Sequence, residues 1–493
     1  MKLSQLIQGL DVLEKINFSD REIIGLDVHS KNVDAGHLFV AIPGTVVDGH
    51  AFVSDALQRG AAGLVVERRE NLPQGIPILI VDNARAALSR LAANWNGHPS
   101  RDLYVIGVTG TNGKTTITCL LEQILQTAGK TASRLGTIGY HYPNMNQTLS
   151  HTTPEPTEIQ RILKEMMDHG VTHTAMEVSS HALDMNRADD IHFKQAIFTN
   201  LTPEHLDYHK SMELYFESKK RLFTLLLPQG GGMGRSILNA DDPYGQKLME
   251  EIKDSPVWTY STHAQSKWDF FVQEWHSSLE GLAATVGTPQ GDIKIHSPLI
   301  GAFNLSNILA ATASAVEAGV SLSLIQKALE NFSNVPGRLE RVPNRKKIHV
   351  FVDYAHTPDA LKNVLLALRE LNPPKIITVF GCGGDRDRSK RPMMGREVAR
   401  FSHVAVVTSD NPRTENPQAI IDQILPGIQE GGMIIGKNCL VEPNRRQAIA
   451  TALEQAKPGE VVLIAGKGHE DYQILGTERI HFDDREVARE ILK

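Results

Sequence analysis

One stretch constrains the fold of this chain more than any other: Val105-Ile-Gly-Val-Thr-Gly-Thr-Asn-Gly-Lys-Thr-Thr116. Tyr104 to Val108 is a short, apolar, β-rich run. Gly110 and Gly113 permit tight backbone geometry that other residues resist. Lys114 and Thr115 then open an amphipathic helix, Ile117 to Leu125, ending near Gly129. A buried strand, a glycine turn and a helix start make an anion cradle, because free backbone N–H groups and the positive helix end face the same point. Gly110, Thr111, Asn112, Gly113, Lys114, Thr115 and Thr116 are therefore the expected nucleotide-phosphate loop. Lys114 is placed to reach the β/γ-phosphates, and the Thr115 hydroxyl to hold Mg²⁺. Val108 stands where the standard loop has its first glycine, leaving the shorter Gly-x-x-Gly-Lys-Thr. The competing reading is an ordinary strand-to-helix turn with an exposed lysine. The polar company of Thr109, Thr111, Asn112 and Thr116 favours phosphate.

At 493 residues the chain is expected to divide into about three domains, each with its own core. A net charge of -6 and the lack of a long basic run argue against nucleic acid as a partner. Cys119, Cys382 and Cys439 are too few and too scattered for a disulfide framework or a zinc cluster. No apolar run approaches the ~20 residues that span a bilayer, so no membrane insertion is expected. The first ten residues lack a signal-peptide core, and a cytoplasmic location is the expectation.

Strands and helices alternate along the chain, which predicts an α/β protein with mainly parallel sheets. The expected domains are residues 1–98, 99–335 and 336–493. In the first, Gly36–Gly44, Ala62–Val66 and Ile76–Val81 contain strands, and Ala51–Gln58 and Ala84–Trp95 are helices. In the second, the strand Thr172–Glu177 ends on a carboxylate, and Gln195–Thr199 runs into Asn200-Leu-Thr-Pro-Glu-His-Leu-Asp-Tyr-His209. Open α/β sheets bind ligands at such strand ends, which makes Glu177 and His205 candidate Mg²⁺ ligands beside Thr115. A zinc site on His205 and His209 lacks a third ligand. Lys219 sits in a helical pattern, where a solvated lysine is the ordinary case. Gly230–Gly234 reads as a flexible loop. A helix reaching Ala318 carries Asn304 and Asn307 on one face. In the third domain, the segment His349–His356 and the strands ending at Phe380, Thr408 and Ala465 run into polar clusters. The glycines Gly381 to Gly384 lack dinucleotide-site spacing.

Six segments in order resemble the Mur ligases: Thr109–Thr116, Glu177-Val-Ser-Ser-His181, Thr199–His209, Val352-Asp-Tyr-Ala-His-Thr-Pro-Asp359, Gly381-Cys-Gly-Gly-Asp-Arg-Asp387 and Asp410-Asn-Pro-Arg413. The last two are similar to members that add the third peptide residue of peptidoglycan precursors. The resemblance spans essentially the whole chain. It implies a small N-terminal α/β domain for the UDP end of the substrate, a central P-loop-type ATPase domain and a C-terminal Rossmann-like α/β domain. It implies a cytoplasmic, monomeric, ATP-dependent amino-acid ligase using Mg²⁺, acting on UDP-N-acetylmuramoyl-L-alanyl-D-glutamate and meso-2,6-diaminopimelate through an acyl phosphate. The third domain is expected to close on the second to exclude water.

The resemblance also implies residue roles. Val28, Ser30 and the Thr45-Val46-Val47 turn match UDP-binding positions, although His29-Ser30-Lys31 replaces the frequent Asp-Ser-Arg. Thr152, Thr153, Ser179 and Arg187 match the muramoyl-dipeptide site. Asn304, Asn307, Arg338 and Asp353 match positions that hold ATP. Lys219 matches a lysine that is carbamylated and bound to metal. Arg386, Asp410, Asn411, Pro412, Arg413, Gly466 and Glu470 match the diaminopimelate site. Three other readings stay open: an L-lysine-adding Mur ligase, a folylpolyglutamate-synthetase-like ligase, and a nucleotide-binding regulator without chemistry. Intact Lys114, Thr115, Glu177 and His205 speak against the regulator, and Asp410–Arg413 with the N-terminal domain against the second.

Overall fold

The computed structural model describes residues 1–44, 47–70, 72–230, 234–252, 255–264 and 267–493. Thr45 and Val46 of the expected UDP turn, and most of the glycine-rich loop before Arg235, lie outside the described residues. The chain forms two compact units: Met1–Phe271 with Gly287–Gly291 and Ser306–Ala328, and Val272–Val286 with Asp292–Leu305 and Leu329–Lys493.

Two sheets build the first unit. The smaller has the order Glu14–Ile16, Ile78–Ile80, Gly63–Val66, His37–Val40 and Gly25–Asp27. Only its first pair is antiparallel. Successive side chains leave a strand on opposite faces. Leu38, Val40, Val65 and Leu79 accordingly join one buried cluster, while Phe39, Leu64, Val66, Ile78 and Ile80 join another. Both faces are covered, which is why the strands read as continuous apolar runs. The helix Ala84–Trp95 supplies Leu88 and Leu91 to the first cluster. Asn83 caps it by accepting from the Arg85 and Ala86 N–H groups.

The larger sheet has Tyr104–Thr109 at its centre, between Phe193–Phe198 and His173–Glu177. Arg235–Asn239 and Val257–Ser261 extend one side. Ala132–Gly136, Gly139–Tyr142 and Met145–Gln147 extend the other. The central strands are parallel, with Glu177 paired to Val108 and Phe198 to Thr109. The loops after Thr109, Glu177 and Phe198 therefore leave the same sheet edge side by side. The helix Lys114–Thr127 starts on the lysine that was expected to open it and ends two residues before Gly129. The strands Phe270–Ser278, Gly281–Thr288 and Gly291–Ser297, most of whose residues belong to the second unit, are an addition to the expected alternation.

The second unit holds a six-stranded sheet: Glu340–Val342, His349–Asp353, Val461–Ala465, Ile376–Phe380, Val404–Val407 and Cys439–Val441. All but the first pair are parallel. Phe351, Phe380, Val407 and Leu463 pack on one face, and Val350, Val379, Val406 and Ile464 on the other. The segments after Phe380, Val407 and Ala465 leave its carboxyl edge together, as the α/β pattern predicts.

Candidate active site

The phosphate loop is held from below by the neighbouring strand end. Thr111 N–H donates to the Asn200 carbonyl at 2.8 Å, Asn112 N–H to Asn200 Oδ1 at 2.9 Å, and Thr199 Oγ1 to the Asn112 carbonyl at 2.6 Å. Gly110 (φ 143) leaves no room for a Cβ against Thr199 Oγ1, nor Gly113 (φ 92) against Asn307 Oδ1. Both glycines are thus required by conformation and by close approach. Thr115 and Thr116 are buried at the helix start. Lys114 Nζ donates to the Gly110 and Thr111 carbonyls at 2.8 and 2.9 Å.

Lys219 donates to the same Gly110 carbonyl at 3.0 Å. It is not the solvated lysine of the ordinary reading: it is 1 % exposed, with its Nζ 4.6 Å from the Tyr215 ring centroid. Burial, and secondarily the Lys114 charge, hold its amine well below the usual lysine range. The helix Met212–Arg221 that carries it passes into a π-helical turn, Leu222–Leu226, a distortion frequent at functional sites.

Glu177 ends its strand buried, 1 % exposed. Thr137 donates to it twice, from N–H at 2.9 Å and from Oγ1 at 3.0 Å. The Thr137 and Thr152 hydroxyls are 3.0 Å apart. Thr153 Oγ1 donates to the Glu177 carbonyl at 2.9 Å and accepts from Ser179 N–H at 3.1 Å. Arg187 donates to the Thr153 carbonyl at 3.0 Å and pairs with Glu155 at 2.7 Å. The four residues expected at the dipeptide are therefore one connected group leading to Glu177. Thr137 was missed by sequence reasoning, since nothing in Gly136-Thr137-Ile138 signals a carboxylate partner.

His205, in the left-handed region at φ 56, has its ring 4.8 Å from His181 and 6.3 Å from Tyr215. Burial foremost lowers its pKa, opposed by the Glu204 charge and reinforced by Lys114 and Lys219, and its Nε2 lies 3.7 Å from Glu204 Oε2. His209 is engaged elsewhere, 2.9 Å from Ser180 Oγ and stacked on Tyr215, which disfavours a paired zinc site. Among the described residues no three His, Cys, Asp or Glu side chains converge as a metal cage. Thr115 and Glu177 instead offer hard oxygen donors of the kind Mg²⁺ takes alongside substrate phosphates. In the smaller sheet, Val28 is half-buried after the strand Gly25–Asp27, Ser30 is buried and hydrogen-bonded to Asp55, and Val47 is exposed.

In the second unit, Asp353 is buried, accepting from Leu339 N–H at 2.7 Å and Ala355 N–H at 2.8 Å. Arg338 lies over the Tyr354 ring, 5.1 Å from its centroid. Asn304 donates to the Ile300 carbonyl at 3.0 Å. The loops after Phe380 and Val407 are tied together. Arg413 donates to the Gly384 carbonyl at 2.8 Å, and Thr414 Oγ1 to Asp385 at 2.8 Å. Arg413 and Asp385 both hold left-handed backbone, φ 52 and 54, a strain that persists only where the surroundings fix it. Arg391, missed in the sequence, is fully buried and donates to Glu415 at 2.8 and 3.0 Å and to the Gly383 carbonyl at 3.2 Å. Arg386 is exposed. Asp410 and Asn411 are buried, and the Asn411 amide donates to Glu470 at 2.9 Å. Gly466 (φ 117) faces Asp410 Oδ2, 3.3 Å from where a Cβ would stand. Pro412 closes against Gly384, where a Cβ would strike its carbonyl.

The Mur ligase middle-domain model matches residues 108–315, the Mur ligase glutamate ligase domain 337–468, and the Mur ligase family catalytic domain 22–99. The chain is 46 % identical, over 99 % of its length and 98 % of the relative, to the UDP-N-acetylmuramoyl-L-alanyl-D-glutamate--2,6-diaminopimelate ligase of Geobacter sulfurreducens. It is 47 % identical to the ligase of that name from Gloeobacter violaceus, over 100 % and 98 %. The chain belongs to the Mur ligase family. A solved structure of a ligase of the same name aligns with this Mur ligase at TM-score 0.70 and 30 % identity, over 97 % of this chain and 96 % of that one. Folylpolyglutamate synthase from Mycobacterium tuberculosis complexed with ADP aligns at TM-score 0.63 and 17 % identity, over 78 % and 91 %, a likeness of fold alone.

Proposed function

We propose that this Mur ligase joins meso-2,6-diaminopimelate to the D-glutamate of UDP-N-acetylmuramoyl-L-alanyl-D-glutamate, with ATP consumed through an acyl phosphate. One observation carries the reading: Lys114 and the buried Lys219 converge on the Gly110 carbonyl of a nucleotide loop, in a chain alike over its full length to ligases named for this substrate pair. A carboxylate does not condense with an amine in water at a useful rate. The D-glutamate γ-carboxylate attacks the γ-phosphorus, ADP leaves, and the amine then displaces phosphate from the acyl carbon. The first step brings anions together, so cations must be fixed in place beforehand. Gly110, Thr111, Asn112, Gly113 and Thr116 cradle the phosphates, and Lys114 swings from its loop carbonyls to them. Thr115, Glu177 and His205 would hold Mg²⁺, which would supply further charge neutralisation. Asn304, Asn307, Arg338 and Asp353 hold the adenosine. Thr152, Thr153, Ser179 and Arg187 hold the dipeptide, and Val28, Ser30 and the turn ending at Val47 the UDP.

A buried neutral amine is the form that takes up CO₂. Lys219 Nζ bonds to the carbon and releases a proton, and the N6-carboxylysine so formed is an anionic oxygen ligand. Arg413 and Arg386 receive the carboxylate of diaminopimelate beside Pro412, while Asp410, Asn411, Gly466 and Glu470 receive its distal ammonium. We further assign the three domains to 1–98, 99–335 and 336–493, and the protein to the cytoplasm as a monomer. Phosphate release with ATP, Mg²⁺ and the UDP-muramoyl-dipeptide, with amino acids added singly, tests the reaction. Release only with diaminopimelate is expected. Release with L-lysine alone, or none with any amino acid, would refute it.

A further inference from the structure

Lys467 extends the reading of residues 410–413 and 466–470 as the amino-acid site, and rests on that reading. It follows the strand Val461–Ala465 and is 0 % exposed. A buried ammonium persists only with partners. Its Nζ lies 3.2 Å from Asn411 Oδ1, 3.5 Å from Glu470 Oε2 and 3.7 Å from Asp410 Oδ1, and 5.4 Å from the Tyr472 ring centroid. Three of the residues assigned to diaminopimelate therefore hang on one lysine that has no role of its own. Asn411 adds to the same frame, accepting from Ile474 N–H at 3.0 Å and donating to the Glu470 oxygen that faces Lys467.

The charges do not balance within the group. One ammonium faces two carboxylates at contact range, while the buried Arg445, paired with Asp484, acts on both only from farther away, which leaves room for one more cation beside them. Asp410 Oδ1 is buried with no hydrogen-bond partner, so an acceptor stands ready without a donor. Burial pushes the Glu470 carboxyl up, and Lys467 is the chief influence opposing that shift. A lysine that merely offset buried charge needs no orphaned oxygen beside it.

We propose that Lys467 is the positioning residue for the distal ammonium of the amino-acid substrate, holding Asp410, Asn411 and Glu470 as a preformed anionic pocket. It acts through those side chains and does not itself touch the substrate.

The test compares meso-diaminopimelate with 2-aminopimelate, which keeps both carboxylates and a reacting amine but lacks the distal amine. Full-length enzyme is assayed for phosphate release with ATP, Mg²⁺ and the UDP-muramoyl-dipeptide. A pocket built for an ammonium rejects the analogue lacking it, so wild type should favour diaminopimelate by at least about 10²-fold in kcat/KM. Lys467→Met should lower kcat/KM for diaminopimelate by about 10²-fold, mainly through KM, and leave 2-aminopimelate within about threefold. Lys467→Gln, which keeps a donor but no charge, should fall between. An equal loss on both amino acids, or an unchanged ratio, would overturn the proposal. So would failure of both variants to fold by circular dichroism, which would assign the lysine to stability alone. Wild type inactive with diaminopimelate would overturn the proposed reaction and this inference with it, whereas an active wild type with an unmoved variant ratio overturns the inference alone.

Discussion

Two lysines on one carbonyl set the chemistry at the scale of the residue. Lys114 is held by loop oxygens rather than by core packing. Lys114→Ala should therefore leave the melting temperature nearly unchanged while lowering kcat by about 10³-fold, the scale of removing a preorganised charge from a transition state. Near-normal turnover would refute the phosphate role. Lys219 is the opposite case, buried and uncharged in tendency. Its carbamate should appear as a mass gain of one CO₂ in native mass spectra. Because burial lowers its pKa, more of the reactive neutral amine is available than in a solvated lysine, and that share falls as pH falls. Occupancy and activity should thus decline together on acidification and recover with bicarbonate. Lys219→Arg, a cation that cannot take up CO₂, should not recover. Full activity of that variant without bicarbonate would sink the modification.

At the scale of the element, sheet edges decide which loops meet. Arg445 and Asp484 are both fully buried, paired at 2.6 Å between the starts of the helices Arg445–Gln455 and Asp484–Leu492. Arg445 also donates to the Ala465 carbonyl at 3.1 Å and the Ser409 carbonyl at 3.5 Å, bracing two strand ends that lead into the amino-acid loops. Removing one partner leaves a buried charge alone, so Arg445→Met should cost about 3–5 kcal/mol of stability. Arg445→Met with Asp484→Leu should restore much of it in denaturant unfolding. A single-variant cost no greater than that of the double would contradict the pairing argument. Elements of this kind were legible where the pattern was local. Ala84–Trp95 was read as a helix with the bounds the structure gives it, and the strand before the phosphate loop showed itself as an apolar run. The strand Gly291–Ser297 carried a usable signal too, burying Ile293, Ile295 and Ser297 between exposed Asp292, Lys294 and His296. Its alternation was overshadowed by the α/β rhythm on either side. Candidate site residues were assigned wherever a strand ended in polar residues. Thr137, Arg391 and Arg445 were not, because their partners lie 40, 24 and 39 residues away and only the fold brings them near.

For the whole molecule, the two units carry separable parts of the proposed reaction. The phosphate loop, Glu177 and Lys219 belong to the first, and Arg413 to the second. Amino-acid recognition should therefore be removable without removing activation of the D-glutamate carboxylate. Diaminopimelate and L-lysine share a side-chain amine, and only diaminopimelate has a second carboxylate beside it. Arg413 presents a planar fork that suits a carboxylate, and its left-handed backbone is fixed by Ile474, whose carbonyl accepts from Arg413 N–H at 3.1 Å. The guanidinium is part-buried, so lysine as substrate would leave it facing no anion, and wild type should discriminate against lysine by about 10⁴-fold. Arg413→Ala should raise KM for diaminopimelate about 10²-fold and narrow that preference. Arg413→Lys should resemble it, since a point charge does not replace a two-bond fork. With the amino acid omitted and hydroxylamine added, both variants should still form the hydroxamate of the UDP-muramoyl-dipeptide at close to the wild-type rate, because Arg413 is not among the residues assigned to ATP, Mg²⁺ or the dipeptide. Loss of hydroxamate in step with loss of ligation would show that Arg413 serves the activation step or the fold. An unchanged preference for diaminopimelate in Arg413→Ala would show that the fork is not what reads the second carboxylate.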